Sequence, residues 1–213
     1  MNKIKIGWGV ALLLVFLLFS NWYGGNGKPL SAEEGLALLA EMDENFADAA
    51  PEARVLIDNL RDMVPNDDGK EFYAVNLERI KHGEDARAAD ARDARGVFPQ
   101  RFKRGGHPVF VSRRAGLMLG DYGEDVDRVA VVRYRSLRDL INMANDPAMV
   151  AGSYHKFDAL EHTEVFITRP IVSFMQIRFL VALILIVLGL AGLKVIDLVA
   201  NRLNKKSAQV SPA

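Results

Sequence analysis

The stretch VAVVRYRSLRDLINMAND, residues 129–146, contains a strand and the helix that follows it. Residues 126–134 alternate between two faces, with Val129 and Val131 on one and Tyr134 on the other, which is the period of a half-buried strand. Ser136 followed by Asp139 is typical of a helix N-terminus, and apolar residues then recur at helical spacing: Leu137, Leu140, Ile141 and Ala144. The stretch therefore predicts a strand that leads directly into an amphipathic helix.

Three further strand patterns surround this unit. Residues 71–80, EFYAVNLERI, alternate apolar and polar side chains. Residues 107–112, HPVFVS, predict a strand that continues toward Leu119, and residues 163–168 predict the last one. A turn of the Gly/Asp kind at residues 121–125 separates the second and third strands.

Helical patterns fill the gaps between these strands. Residues 83–102 are charged and rich in alanine, as in a surface helix, and Pro147 restarts a helix that runs to about residue 161. The predicted order is β-α-β-β-α-β, which is the split βαβ arrangement of ferredoxin-like domains. We therefore expect an α+β domain over residues 70–170.

A helical extension at residues 29–66 precedes this domain. Ser31 followed by Glu34 predicts a capping box at the start of its first helix, and a second short helix follows Pro51. Both helices carry many apolar residues, so we expect a stalk or an extra layer packed on the main domain in preference to a bare linker.

The first segment, residues 1–24, is apolar enough to cross a membrane. Residues 6–23 contain no charge, and Trp8, Trp22 and Tyr23 stand where the aromatic belt of a spanning helix belongs. A cleaved signal peptide is the alternative, because Lys3 and Lys5 precede the apolar stretch, although no small-residue cleavage site follows it.

A second and stronger apolar segment covers residues 174–199, for which a buried helix of a soluble protein is the alternative. Lysines and arginines precede the first segment and follow the second, in the tail at residues 200–213, which predicts cytoplasmic termini. The domain between the segments is then extracytoplasmic. We expect an inner-membrane protein with two spans and a periplasmic domain, in contact with the lipid bilayer.

The composition narrows the chemistry. The 213 residues contain 27 basic and 27 acidic side chains and no cysteine. The balanced charge gives no reason to expect nucleic-acid binding. The absence of cysteine excludes disulfides, thiolate metal sites and cysteine nucleophiles.

Three stretches carry a resemblance to a known family: KRGGHPVF at residues 103–110, VAVVRYRSLRDLINMANDPAM at 129–149 and HKFDALEHTEVF at 155–166. They resemble the uncharacterised DUF1330 family of small domains, within the dimeric α/β-barrel superfamily. The resemblance covers about residues 70–170. It implies a ferredoxin-like unit whose sheet packs against a second copy in a homodimer, and it implies no particular reaction.

Candidate ligand-binding residues are His107, Tyr73, Arg133 and Tyr134. His107 opens a strand beside two glycines, where exposed backbone and an imidazole can form a pocket lip, or it merely hydrogen-bonds the preceding turn. An arginine at the end of a strand can bind a carboxylate or phosphate, or can pair internally with Asp139 or Glu164.

Other polar groups give weaker signals. His155 and His162 are seven residues apart on a predicted helix, which is too far for joint metal binding. The acidic turn at residues 121–127 lacks the spacing of a calcium loop, and the chain has no nucleotide-binding, nucleophile-elbow or zinc-protease motif. We therefore predict no metal, no cofactor and no assignable catalytic residue.

The sequence favours a noncatalytic module that mediates dimerisation, assembly or ligand binding. The alternatives are an enzyme or small-molecule binder of the dimeric α/β-barrel superfamily and an accessory subunit of a larger membrane-protein complex. A closed apolar pocket containing His107 with a tyrosine or arginine would favour the enzyme or binder.

Overall fold

The computed structural model of the protein describes residues 2–47, 51–152, 154–172 and 176–210. The chain divides into two compact units, one formed by residues 23–172 and the other by residues 1–22 together with 173–213. The helices are α1 (Asn2–Gly24), α2 (Ala32–Asn45), α3 (Pro51–Met63), α4 (Glu84–Lys103), α5 (Leu137–Ala144), α6 (Pro147–Gly152), α7 (Tyr154–Ala159) and α8 (Ile177–Val210).

An antiparallel sheet forms the centre of the 23–172 unit. Its four strands are β1 (Phe72–Ile80), β2 (His107–Arg113), β3 (Arg128–Tyr134) and β4 (Leu160–Thr168), arranged in the order β2-β3-β1-β4. The chain order of strands and main helices is β1-α4-β2-β3-α5-β4, so the predicted ferredoxin-like α+β fold is confirmed.

The hydrophobic core lies on one side of this sheet. Alternate residues of β1 and β3 point into it, where they meet α2, α3 and α5 in one buried cluster that includes Phe72, Ala74, Val132, Tyr134, Leu39, Met42, Ile57, Leu60, Leu137 and Ile141. The helical extension is therefore a layer of the domain and not a stalk. Its first helix starts as expected, because the Ser31 hydroxyl accepts from the Glu34 N–H at 3.1 Å and the Glu34 carboxylate accepts from the Ser31 N–H at 3.2 Å.

Two predicted elements end elsewhere. Strand β2 stops at Arg113, because the Arg114 N–H turns to the Asp127 carbonyl at 2.9 Å and the chain then leaves the sheet before Leu119. The helix expected to run to residue 161 ends at Ala159, because Leu160 already pairs with Ile80 in β4. His162 is consequently on a strand, so the prediction that it shares a helix with His155 was wrong. The His155 side chain lies outside the described residues.

The second unit consists of two helices that are long and apolar enough, by length and composition, to cross a membrane: Lys3–Gly24 within α1 and Ile177–Leu203 within α8. Lys5 pairs with Asp197 at 2.6 Å, and the Trp8 indole donates to the Gly189 carbonyl at 3.3 Å. Later residues of α1 contact earlier residues of α8, so the two helices are antiparallel. The predicted start of the second segment at residue 174 lies outside the described residues.

Candidate functional site

The face of the sheet turned away from the core, which we call the open face, carries its side chains in three rows. Cross-strand pairing defines each row because directly opposed residues of antiparallel strands point the same way. The rows are His107, Arg133, Tyr73 and Thr168; then Phe110, Val131, Val75 and Phe166; then Ser112, Val129, Leu77 and Glu164. The first row is polar, the second is wholly apolar and the third is mixed.

Arg133 is the centre of the first row. Its side chain is 1% exposed. The guanidinium donates to the Glu71 carboxylate at 2.8 Å, to the Gly105 carbonyl at 2.7 Å and to the Tyr23 carbonyl at 3.0 Å. The guanidinium carbon of Arg133 also lies 3.7 Å from the centroid of the Tyr23 ring, a close cation–π contact. Arg133 thus ties three separate segments of the chain to the sheet and has its charge compensated within the domain.

His107 joins the same cluster through Tyr23. The Tyr23 hydroxyl lies 3.2 Å from Nε2 of His107, and the two rings stack with their centroids 5.8 Å apart. Nδ1 of the imidazole lies 3.1 Å from the Pro108 carbonyl oxygen. Both ring nitrogens therefore have neighbours from the domain.

Tyr73 faces Arg133 directly across the β1–β3 pairing. Its side chain is largely buried, and burial raises the pKa of its phenol, with the neighbouring Glu71 carboxylate acting in the same direction. Tyr73 therefore keeps its proton in the folded domain. A phenol of this kind can donate a hydrogen bond but is a poor base.

The structure brings together three of the four predicted ligand-binding residues and separates the fourth. Tyr73, His107 and Arg133 share the first row, whereas Tyr134 points to the core and stacks on Phe72 with a centroid separation of 5.5 Å. Grouping Tyr134 with the other three was wrong, because alternation along β3 sends consecutive side chains to opposite faces. The guanidinium carbon of Arg101 lies 5.6 Å from the centroid of the Tyr134 ring.

The sequence missed two members of the cluster. Of the two arginines at the end of β3, Arg135 pairs with the predicted partner Asp139 at 2.7 Å, whereas Arg133 pairs with Glu71, and Glu164 is bound by Tyr122. Glu71 stands just before β1, two residues from the partner of Arg133, so only the strand register reveals it. Tyr23 was assigned to an aromatic belt, but its side chain is buried with the first row.

A second polar cluster lies on the core side of the sheet, beside α4 and α7. Arg128 donates to both oxygens of Asp90, at 2.9 and 2.7 Å, and also binds Glu78. The Asp90 hydrogen bonds raise the pKa of Arg128, and the Arg128 guanidinium lowers the pKa of Asp90. This part of the cluster is a charge-compensated ion-pair network.

Lys156 completes this second cluster. Its ammonium donates to the Asn76 side chain at 3.3 Å. Burial lowers the pKa of Lys156, although the nearby Glu78 and Asp93 carboxylates oppose the shift, and burial raises the pKa of Asp93. A lysine with a lowered pKa is a stronger candidate for acid–base chemistry than a solvated one.

Two carboxylates of the acidic turn before β3 are bound by other groups of the domain. Asp125 pairs with Arg79 at 2.6 Å, and Asp127 accepts from the Ile80 N–H at 3.0 Å. Within the described ranges, no group of three or more His, Asp or Glu side chains is arranged to hold a metal ion. These carboxylates therefore act in the fold.

Comparisons with known proteins give a structural likeness without a sequence relative. No known family profile matches the chain, and no curated protein matches it in sequence. The crystal structure of methylated RPA0582 protein is similar over 57% of this chain and 93% of its own, with 20% identity and a TM-score of 0.50. A second RPA0582 structure, described as a protein of unknown function from Rhodopseudomonas palustris, covers 56% of this chain and 95% of its own at 21% identity, with a TM-score of 0.49.

The hydroxynitrile lyase from Passiflora edulis is a weaker structural match, with 13% identity, a TM-score of 0.38, and coverage of 50% of this chain and 98% of its own. At these identities the likeness extends to the fold alone. The domain formed by residues 23–172 therefore has a ferredoxin-like fold.

Proposed function

We propose that this chain is a membrane-anchored protein whose extracytoplasmic, DUF1330-like domain forms a homodimer through the open face of its sheet and serves as an assembly or ligand-binding module. The second row of the open face carries this proposal. It consists of Phe110, Val131, Val75 and Phe166, one from each strand. Phe110 is 55% exposed and Phe166 is 44% exposed, so the row presents a continuous apolar surface to solvent.

An apolar row across a whole sheet is unusual on the outside of a monomeric domain. Such a surface is stable when another surface covers it, and a second copy offers a matching row because a two-fold interface uses the same patch twice. The first row flanks the patch with polar groups that are already paired. This arrangement, an apolar centre with a satisfied polar border, is typical of protein–protein interfaces.

The anchoring part of the proposal rests on α1 and α8. Both have the length and composition of membrane spans, and the basic residues near the termini favour a cytoplasmic location for both ends. The inner membrane with a periplasmic domain is the location that fits this bias. Two anchors restrict the domain to a plane, which raises its effective concentration for pairing.

The contacts of Arg133 weigh against the alternative of an enzyme or small-molecule binder at the first row. Its donors are engaged by Glu71, Gly105 and Tyr23, so a ligand at this position would have to displace contacts that hold the domain together. An accessory role in a larger membrane complex uses the same apolar row with a different partner.

The dimer is tested by crosslinking the full-length protein in membranes at native expression. We expect a dimer in the wild type and its loss in Phe166→Glu, since two charges would face each other in the interface. Phe98→Glu is the matched control, because Phe98 on α4 is 48% exposed and lies away from the open face. Monomer alone in the wild type, or equal loss in both variants, would contradict the homodimer. Crosslinks to another protein in place of the dimer would support the complex.

A further inference from the structure

A basic cavity lies at the end of the sheet opposite to the first row. It has a volume of about 440 Å³, is open to solvent, and is lined by Ile80, Lys81, His82, Gly83, Arg87, Arg113 and Asp127. Lys81 and His82 directly follow β1, Arg113 is the last residue of β2, and Arg87 lies in the first turns of α4. Three elements thus place basic groups around one space.

The arginines of this cavity differ from those around it. Arg79 and Arg128, on the neighbouring strands, are each bound to two carboxylates. Among the described residues, no carboxylate oxygen lies within 4.0 Å of the guanidinium of Arg87 or Arg113. Arg113 is close enough to Asp90 to lower the pKa of that carboxylate, but Asp90 is held by Arg128.

The one acidic residue of the lining offsets part of this charge. The carboxylate of Asp127 accepts from the backbone N–H of Ile80 at 3.0 Å, which anchors it to the end of β1 and leaves its negative charge in place. Gly83, also in the lining, has a φ of +115° and places no side chain in the cavity. With Lys81, Arg87 and Arg113 against Asp127, the lining keeps a net positive charge.

We infer that this cavity binds a small phosphate-bearing anion. A guanidinium group can bind two phosphate oxygens at once, and Arg87 and Arg113, which have no carboxylate partner in the part of the chain that the structure describes, supply the donors that such a group needs. The volume is within the range of sites for small ligands, about 300–1,000 Å³. A carboxylate partner within the domain would have filled this role, as it does for the arginines nearby.

The phosphate can come from a soluble molecule or from a lipid headgroup. The chain enters the domain at Tyr23, which contacts Arg133, and leaves it after Thr168, which pairs with Tyr73. Both connections are at the first-row end of β1, whereas the cavity is at the Ile80 end, about 25 Å away at ~3.3 Å per residue.

The test is calorimetric titration of inorganic phosphate into the full-length protein in phosphatidylcholine nanodiscs. We expect saturable binding that Arg87→Gln with Arg113→Gln weakens by about tenfold or more, because each guanidinium contributes a charge-assisted hydrogen bond. The control is Arg92→Gln with Arg114→Gln, which removes the same charge from two exposed arginines outside the lining. Its affinity should stay within about twofold of the wild type.

Absence of saturable binding, or equal weakening in the two double variants, would overturn the inference. The source of the phosphate is separated by repeating the titration in nanodiscs that contain phosphatidic acid. Unchanged affinity identifies a soluble ligand, whereas competition seen with the wild type and lost with the cavity variant identifies a headgroup. Neither double variant alters the open face, so the outcome is independent of the dimer.

Discussion

Replacing Arg133 with methionine should destabilise the sheet of the domain. The substitution keeps an unbranched side chain of similar length but removes every donor of the guanidinium. It leaves the Gly105 and Tyr23 carbonyls without the donors that they have at 2.7 and 3.0 Å, and it leaves the Glu71 carboxylate without its partner.

The expected cost follows from these contacts. A hydrogen bond to a charged group contributes about 1.5–3 kcal/mol, so at the lower end of this range the two carbonyls account for about 3 kcal/mol. Glu71 adds less, because its side chain is 40% exposed and water replaces part of the lost interaction. The total is about 3–4 kcal/mol, within the range measured when one partner of a buried ion pair is removed.

Hydrogen exchange of the full-length protein in detergent, read by mass spectrometry on peptides from β1 and β3, measures this loss directly. The amides should exchange roughly 10²- to 10³-fold faster in Arg133→Met. Arg138→Met is the control, because Arg138 pairs with a Glu34 side chain that is 53% exposed and should change exchange by less than about fivefold. Unchanged protection in Arg133→Met, or the same acceleration in the control, would refute the reasoning.

Two further predictions concern Lys156 and the packing of α2. Amine labelling of Lys156 should have a pH midpoint below 10.5, the ordinary pKa of a lysine, and stability should rise with pH from the lowered pKa toward 10.5, because the unfolded chain binds more protons there. A midpoint at 10.5 or above would contradict the burial of this ammonium. Gly35→Ala should destabilise the domain by about 1–3 kcal/mol in denaturant unfolding, since its Cβ would meet Val64 at 2.4 Å, whereas Gly96→Ala, with nothing within 4 Å, should stabilise α4 by up to about 1 kcal/mol. A gain at both positions would show that Val64 can move away.

The order of elements was predictable because its signals are local. The alternation in residues 126–134 and the capping box at Ser31 depend on neighbours within a few residues, and both correctly located their elements. The ends of β2 and of the helix before β4 were not predictable, because each depends on pairing with a distant segment. Leu160 extends as a strand since Ile80, eighty residues earlier, offers it a partner.

The candidate site shows the same division. Alternation along β3 is a local signal that places Arg133 and Tyr134 on opposite faces, although the two were grouped as candidates, whereas the partner of Arg133 depends on the register between two strands, which no spacing in the sequence reveals. The position of Tyr23 was harder still to predict, because an aromatic residue at the end of an apolar helix is already expected at the membrane interface. Its contact with Arg133, 110 residues away, is visible only in the folded domain.

The two connections of the domain, at Tyr23 and after Thr168, meet the same end of the sheet. The domain of residues 23–172 is therefore a cassette, a segment that can be removed from the chain and replaced by a short flexible loop. The contacts that pair α1 with α8, such as Lys5 with Asp197 and Trp8 with Gly189, all come from residues outside the cassette. The shortened chain should therefore remain a helical hairpin, and the cassette could be exchanged among proteins without redesigning the helices that carry it.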